Sequence, residues 1–135
     1  MFQFHHVGVG TTDFEGAIKA YEALGYKTCI VVDDPGLCVR VALLRASTGP
    51  LVEIVSPLGS DHPLKSLIAR KVLPSPYHTC YSTADIVIGR ERLFELGYMP
   101  LGDIRPAVAF DGARIAYQYH PAIGLLELVE NPPAL

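Results

Sequence analysis

The sequence has little of what several specialised classes require. Cysteine occurs three times in 135 residues. Cys29, Cys38 and Cys80 are odd in number and make no Cys-x-x-Cys pair, which argues against a disulfide framework or a zinc ribbon and suits free thiols in a reducing cytoplasm. A basic excess is missing: the formal net charge of −3 gives no electrostatic footprint for nucleic acid. No apolar run reaches the roughly 18 residues that a membrane-spanning helix needs. Met1-Phe2-Gln3-Phe4 has no charged head or apolar block of a signal peptide and runs straight into a strand pattern. The expectation is a cytoplasmic protein of one domain, residues 1–135, half of them hydrophobic and so able to bury a core.

What is present is a duplication. Residues 4–14 (FHHVGVGTTDF) are echoed by residues 76–86 (PYHTCYSTADI). His6 and His78 lie 72 positions apart, as do Asp13 and Asp85, and Leu24-Gly25-Tyr26 and Leu96-Gly97-Tyr98. Glu53-Ile54-Val55 returns as Glu127-Leu128-Val129 at an offset of 74.

Each half reads as a strand, a helix and further strands. Residues 3–10 form a strand with Val7 and Val9 on one face and Phe4, His6, Gly8 and Gly10 on the other. Thr12 precedes Glu15 at capping-box spacing, Asp13 and Asp85 stand near helix starts and are expected to cap them, and Phe14, Ile18 and Tyr21 give an apolar stripe that Gly25 ends. Strands follow over 26–32, 39–44 and 51–55, with Asp33-Asp34-Pro35-Gly36 as a turn. A bridge contains one short helix over 64–71. In the second half a strand holds His78, a helix follows Asp85 and stops at Gly97, residues 100–112 read as irregular, and strands cover 114–119 and 125–129. The boundaries are module 1 at 1–57, bridge at 58–75 and module 2 at 76–131. The fold class is α+β: two tandem βαβββ modules forming a curved mixed sheet around a metal-binding cleft.

The cleft residues follow from strand phase. His6 is out of phase with Val7 and Val9, Glu53 with Val52 and Ile54, and Glu127 with Leu126 and Leu128. With the apolar set facing the helices, two His and two Glu face the other way. A carboxylate inside Leu-Val-Glu-Ile-Val is costly unless paired. A lone strand His is more often a core residue, and a lone strand Glu often meets solvent. The symmetric set of His6, Glu53, His78 and Glu127 instead points to one divalent ion, with Co, Ni, Zn, Mn and Fe all open. His5 and Tyr77 read as core or edge residues facing the helices, His62 and His120 as loop residues, and Lys65, Arg70 and Lys71 as a solvated helix face.

His6-Val7-Gly8-Val9, the run from Glu53 to Gly59, His78-Thr79-Cys80, Arg114-Ile115-Ala116 with His120-Pro121, and the run from Gly124 to Glu130 together resemble the vicinal oxygen chelate superfamily. That superfamily, also called glyoxalase/bleomycin resistance/dioxygenase, is built from paired βαβββ modules, and the resemblance is closest to its methylmalonyl-CoA epimerases. It implies metal ligation by His6, Glu53, His78 and Glu127, with Glu127 also an acid/base group. It implies proton abstraction beside a metal-bound carbonyl of a small substrate, such as an acyl-CoA thioester, in a homodimer. A lactoylglutathione lyase or a non-catalytic binding protein of the same fold is the alternative. The epimerases carry a second acid just before the third strand. Here Gly36 or Leu37 stands at that place; Asp33 and Asp34 are the nearby acids that could substitute, Asp34 being the better candidate because it adjoins the loop into Val39.

Overall fold

The computed structural model describes residues 1–135. In chain order the elements are β1 (Gln3–Gly10), α1 (Phe14–Ala23), β2 (Lys27–Asp34), β3 (Val39–Arg45), β4 (Leu51–Pro57), α2 (Lys65–Ala69), β5 (Ser75–Thr83), α3 (Ile86–Glu95), β6 (Met99–Pro106), β7 (Arg114–His120) and β8 (Gly124–Glu130), with a 3-10 turn at Val108–Phe110. The fold is α+β with a mixed sheet, and each half has the expected βαβββ order. None of the helices is long and apolar enough to cross a membrane. All three cysteines are free thiols.

The chain packs as two units. One is contiguous, Val7–Tyr77; the other joins Met1–His6 to His78–Leu135. The opening residues of β1 therefore pack with the second half of the chain.

In the contiguous unit, β2 pairs antiparallel with β3, and β3 with β4. The face of α1 that carries Phe14, Ala17, Ile18 and Tyr21 packs on Val9, Ala42, Leu44, Val52 and Ile54. The bridge folds back here too. Leu64 is fully buried, and a Cβ on Gly10 would come within 2.9 Å of Leu73 Cδ2, so the bridge side chains pack directly on β1 at that point.

In the two-piece unit, β5 runs parallel to β8, while β7 pairs antiparallel with both β8 and β6. Its core is Ile86, Leu93, Ala116, Leu126 and Leu128. These positions repeat the first core: Ile86 answers Phe14, Ala116 answers Ala42, and Leu126 and Leu128 answer Val52 and Ile54. Burying a side chain such as Leu128 contributes about 1.5–3 kcal/mol, so each apolar face fixes its own strand phase.

Three expectations are corrected. The Thr12–Glu15 capping box does not form; α1 is capped by Asp13, as its place at the helix start suggested, the carboxylate accepting from Gly16 N at 3.1 Å. The bridge helix is the shorter Lys65–Ala69. Residues 100–112 are not irregular: β6 occupies Met99–Pro106. It ends the strand order, it is exposed along nearly its whole length, and its register shifts between Leu101 and Arg105. An edge strand can carry Pro100 and Pro106 because one side of its ladder has no partner.

Candidate metal centre

Three of the four predicted ligands meet in the two-piece unit. His6 is on β1, His78 on β5 and Glu127 on β8. The parallel register places Cys80 beside Glu127, so His78, two residues earlier, shares the Glu127 face. Leu126 and Leu128 point the other way, into the helix core. His6 Nε2 lies 3.1 Å from His78 Nε2 and 3.2 Å from Glu127 Oε1, and His78 Nε2 lies 3.6 Å from the same oxygen. All three side chains are inaccessible to solvent or nearly so. Glu127 Oε1 accepts no hydrogen bond despite these approaches. A buried carboxylate oxygen without a donor is expensive, whereas a divalent cation satisfies it and both imidazole nitrogens at once. Donors about 2.1 Å from a shared ion are themselves about 3.0–3.4 Å apart, so the residues fit such an ion closely.

The imidazoles are held from behind. Phe110 stacks on His6 with centroids 5.4 Å apart and planes 22° from parallel. His5 Nδ1 lies 2.9 Å from His6 Nδ1. Tyr117, paired with Glu127 across β7 and β8, meets His78 edge-on at 5.7 Å. Sequence reasoning missed all three. Tyr117 was recoverable from the repeat, since it stands where Leu43 stands beside Glu53 in the first half. Phe110 lies in the turn where the offset grows from 72 to 74, so it has no counterpart to reveal it. His5 does not face the helix core as expected; its ring turns back to His6.

Glu53 and Asp34 belong to the contiguous unit. Glu53 sits on β4, 4% exposed, opposite Leu43 and away from the Val52 and Ile54 side that packs on α1. Asp34 closes β2, is 3% exposed and pairs with Val39. The registers put Asp34, Val39, Leu43 and Glu53 on one face, with Asp34 and Glu53 on the order of 15 Å apart along the sheet. Asp34 Oδ1 accepts from Leu37 N at 3.0 Å and lies 3.5 Å from where a Gly36 Cβ would stand. Its carboxylate thus lies beside the space that Gly36 leaves empty. Asp33 is committed elsewhere: Arg40 binds it at 2.7 Å, and that hydrogen bond holds its carboxyl below the usual carboxylate range. His120 caps the β7–β8 turn by accepting from Ala122 N and packs on Tyr98. Lys65, Arg70 and Lys71 are exposed.

Among proteins of known activity, an ethylmalonyl-CoA/methylmalonyl-CoA epimerase of Cereibacter sphaeroides is 28% identical over 120 residues, covering 88% of each chain. Among solved structures, a methylmalonyl-CoA epimerase from Mycobacterium tuberculosis superposes with a TM-score of 0.81 at 24% identity, covering 96% of this chain and 88% of that one. A Streptomyces coelicolor methylmalonyl-CoA epimerase variant in complex with 2-nitronate-propionyl-CoA gives 0.80 at 21% identity, covering 95% and 96%. The structural likenesses speak to the fold alone. Residues 5–117, which take in His6, Glu53 and His78, match the family model for the glyoxalase/bleomycin resistance protein/dioxygenase superfamily, and the chain belongs to that superfamily.

Proposed function

We propose that this chain is a metal-dependent isomerase that moves the proton beside the carbonyl of an acyl-CoA thioester of the methylmalonyl-CoA type. The observation that carries this reading is the buried convergence of His6 Nε2, His78 Nε2 and Glu127 Oε1. Glu53, the repeat equivalent of Glu127, is taken as the fourth ligand, so that His6, Glu53, His78 and Glu127 hold one divalent ion. When bound, the ion supplies Lewis-acid polarisation of the thioester carbonyl and makes the neighbouring C–H more acidic. Glu127 has two oxygens; Oε1 faces the imidazoles, and Oε2 is assigned to the abstracted proton. Its burial keeps bulk water from the carbanionic carbon. Asp34 is assigned as the second proton carrier, in place of the acid missing at Gly36. The assembly is taken to be a homodimer with one site per chain.

One observation favours a second reading. Asp34 Oδ1 is engaged with Leu37 N, a turn-forming role that leaves a single carrier, Glu127. One carrier suits a lactoylglutathione lyase-type reaction, or ligand binding without turnover. The test is the metal-loaded protein with one epimer of methylmalonyl-CoA in heavy water. Both deuterium uptake at the α-carbon and loss of optical purity are expected. Asp34→Asn should abolish epimerisation while leaving part of the exchange. No exchange by a fully loaded site would overturn the isomerase reading, and no exchange with a hemithioacetal either would favour ligand binding over a lyase.

A further inference from the structure

Neighbouring residues on a strand point to opposite faces, so His5 should look away from His6. Instead its Nδ1 comes within 2.9 Å of His6 Nδ1. At that separation one nitrogen carries the proton and the other a lone pair; two protons or two lone pairs would repel. The other side of the His6 ring decides which. His6 Nε2 is 3.2 Å from Glu127 Oε1, yet that oxygen accepts no hydrogen bond. With Glu127 Oε1 accepting nothing, the remaining neighbour of His6 Nε2 is His78 Nε2 at 3.1 Å; taking His78 as the donor of that pair leaves the lone pair on His6 Nε2 and puts the proton of the neutral His6 ring on Nδ1. Phe110 holds the arrangement by stacking on His6 and meeting His5 edge-on at 5.4 Å and 84°.

The geometry points to His5 as a positioning residue: its Nδ1 accepts the His6 Nδ1 proton and locks His6 in the tautomer that offers Nε2 to a metal ion. This rests on the metal reading of the site. Acceptors behind ligating imidazoles commonly fix the tautomer and raise ligand basicity, and losing one weakens metal binding by about 10–100-fold. His5 takes that place here with an imidazole, which must then carry its own proton on Nε2.

The test uses metal-free, ¹⁵N-labelled protein and two-bond histidine NMR spectra, followed by zinc titration against a competing chelator. The parent should show His6 protonated on Nδ1 and His5 on Nε2. His5→Leu should release His6 into a tautomer mixture and weaken zinc binding by about 10–100-fold, with the melting temperature of the metal-free protein little changed. His5→Gln, which keeps an acceptor, should restore most of both. His6 protonated on Nε2 in the metal-free parent would overturn the proposal, as would zinc affinity unchanged in His5→Leu. So would uptake of a second zinc lost on Cys80→Ser, because the donors of His5, His6 and Cys80 also lie within 4.8 Å of one another and would then be bridged by metal in place of a proton. Failure of the parent to take up zinc would sink the metal reading alone; the metal-free spectrum would still decide the His5–His6 contact.

Discussion

At the scale of single residues, the site stores an imbalance. Glu127 Oε1 is buried against two imidazole nitrogens without a hydrogen bond, a cost that an ion would remove. Glu127→Gln should therefore stabilise the metal-free protein by roughly 1 kcal/mol or more, read as a higher urea midpoint, while losing metal uptake. Metal should raise the parent's melting temperature, by an amount that grows with its free concentration, and should leave His78→Ala unmoved. An equal response of parent and variant would remove His78 from the site. These residues were legible because strand phase and the repeat pointed at the same positions. Glu127 alone would have read as a solvent-facing acid, but its partner at Glu53 in an equally apolar strand made that improbable. His5 escaped because strand alternation says where a side chain starts, not where a long ring finally turns. Phe110 escaped because a turn has no period.

At the scale of elements, the two helices are held by the same device at different strengths. Asp85 accepts from both Val87 N and Ile88 N, and Asp13 from Gly16 N alone. Replacing Asp85 with Ala should cost about 1 kcal/mol in denaturant titrations, and Asp13→Ala less. Glu130 adds a second tie at α3: it accepts from Ile86 N at 3.0 Å and takes a forked pair from Arg114. Arg114 first, then the Ile86 amide, hold the Glu130 carboxyl below its ordinary 4.5. A lowered carboxylate contributes stability that is present above the ordinary value and lost as pH falls through the lowered one. Stability against urea below about pH 4.5 should thus fall less steeply in Glu130→Gln than in the parent; parallel curves would show the pair to be inert. Helix starts and ends were readable here because Asp and Gly act locally. The edge strand β6 was not, because the prolines that break a central strand are tolerated at an edge, and only the neighbours tell the two apart.

At the scale of the whole molecule, each core repeats the other, Phe14 for Ile86 and Ile54 for Leu128, so the fold class was the most legible feature of all. Assembly was not, since nothing in a repeat specifies a partner. A homodimer predicts sedimentation at twice the chain mass at micromolar concentration; a monomer under those conditions would remove that expectation.

The unit that carries His6, His78 and Glu127 is sewn from the two ends of the chain, Met1–His6 and His78–Leu135, around a contiguous middle. During synthesis the middle can collapse as soon as Tyr77 has emerged, while His6 waits for partners still to be translated. Joining distant segments is slow, and it comes after local pairing. The donors would then come together among the last native contacts, so the nascent chain would have no finished trap for a stray ion while it is still open.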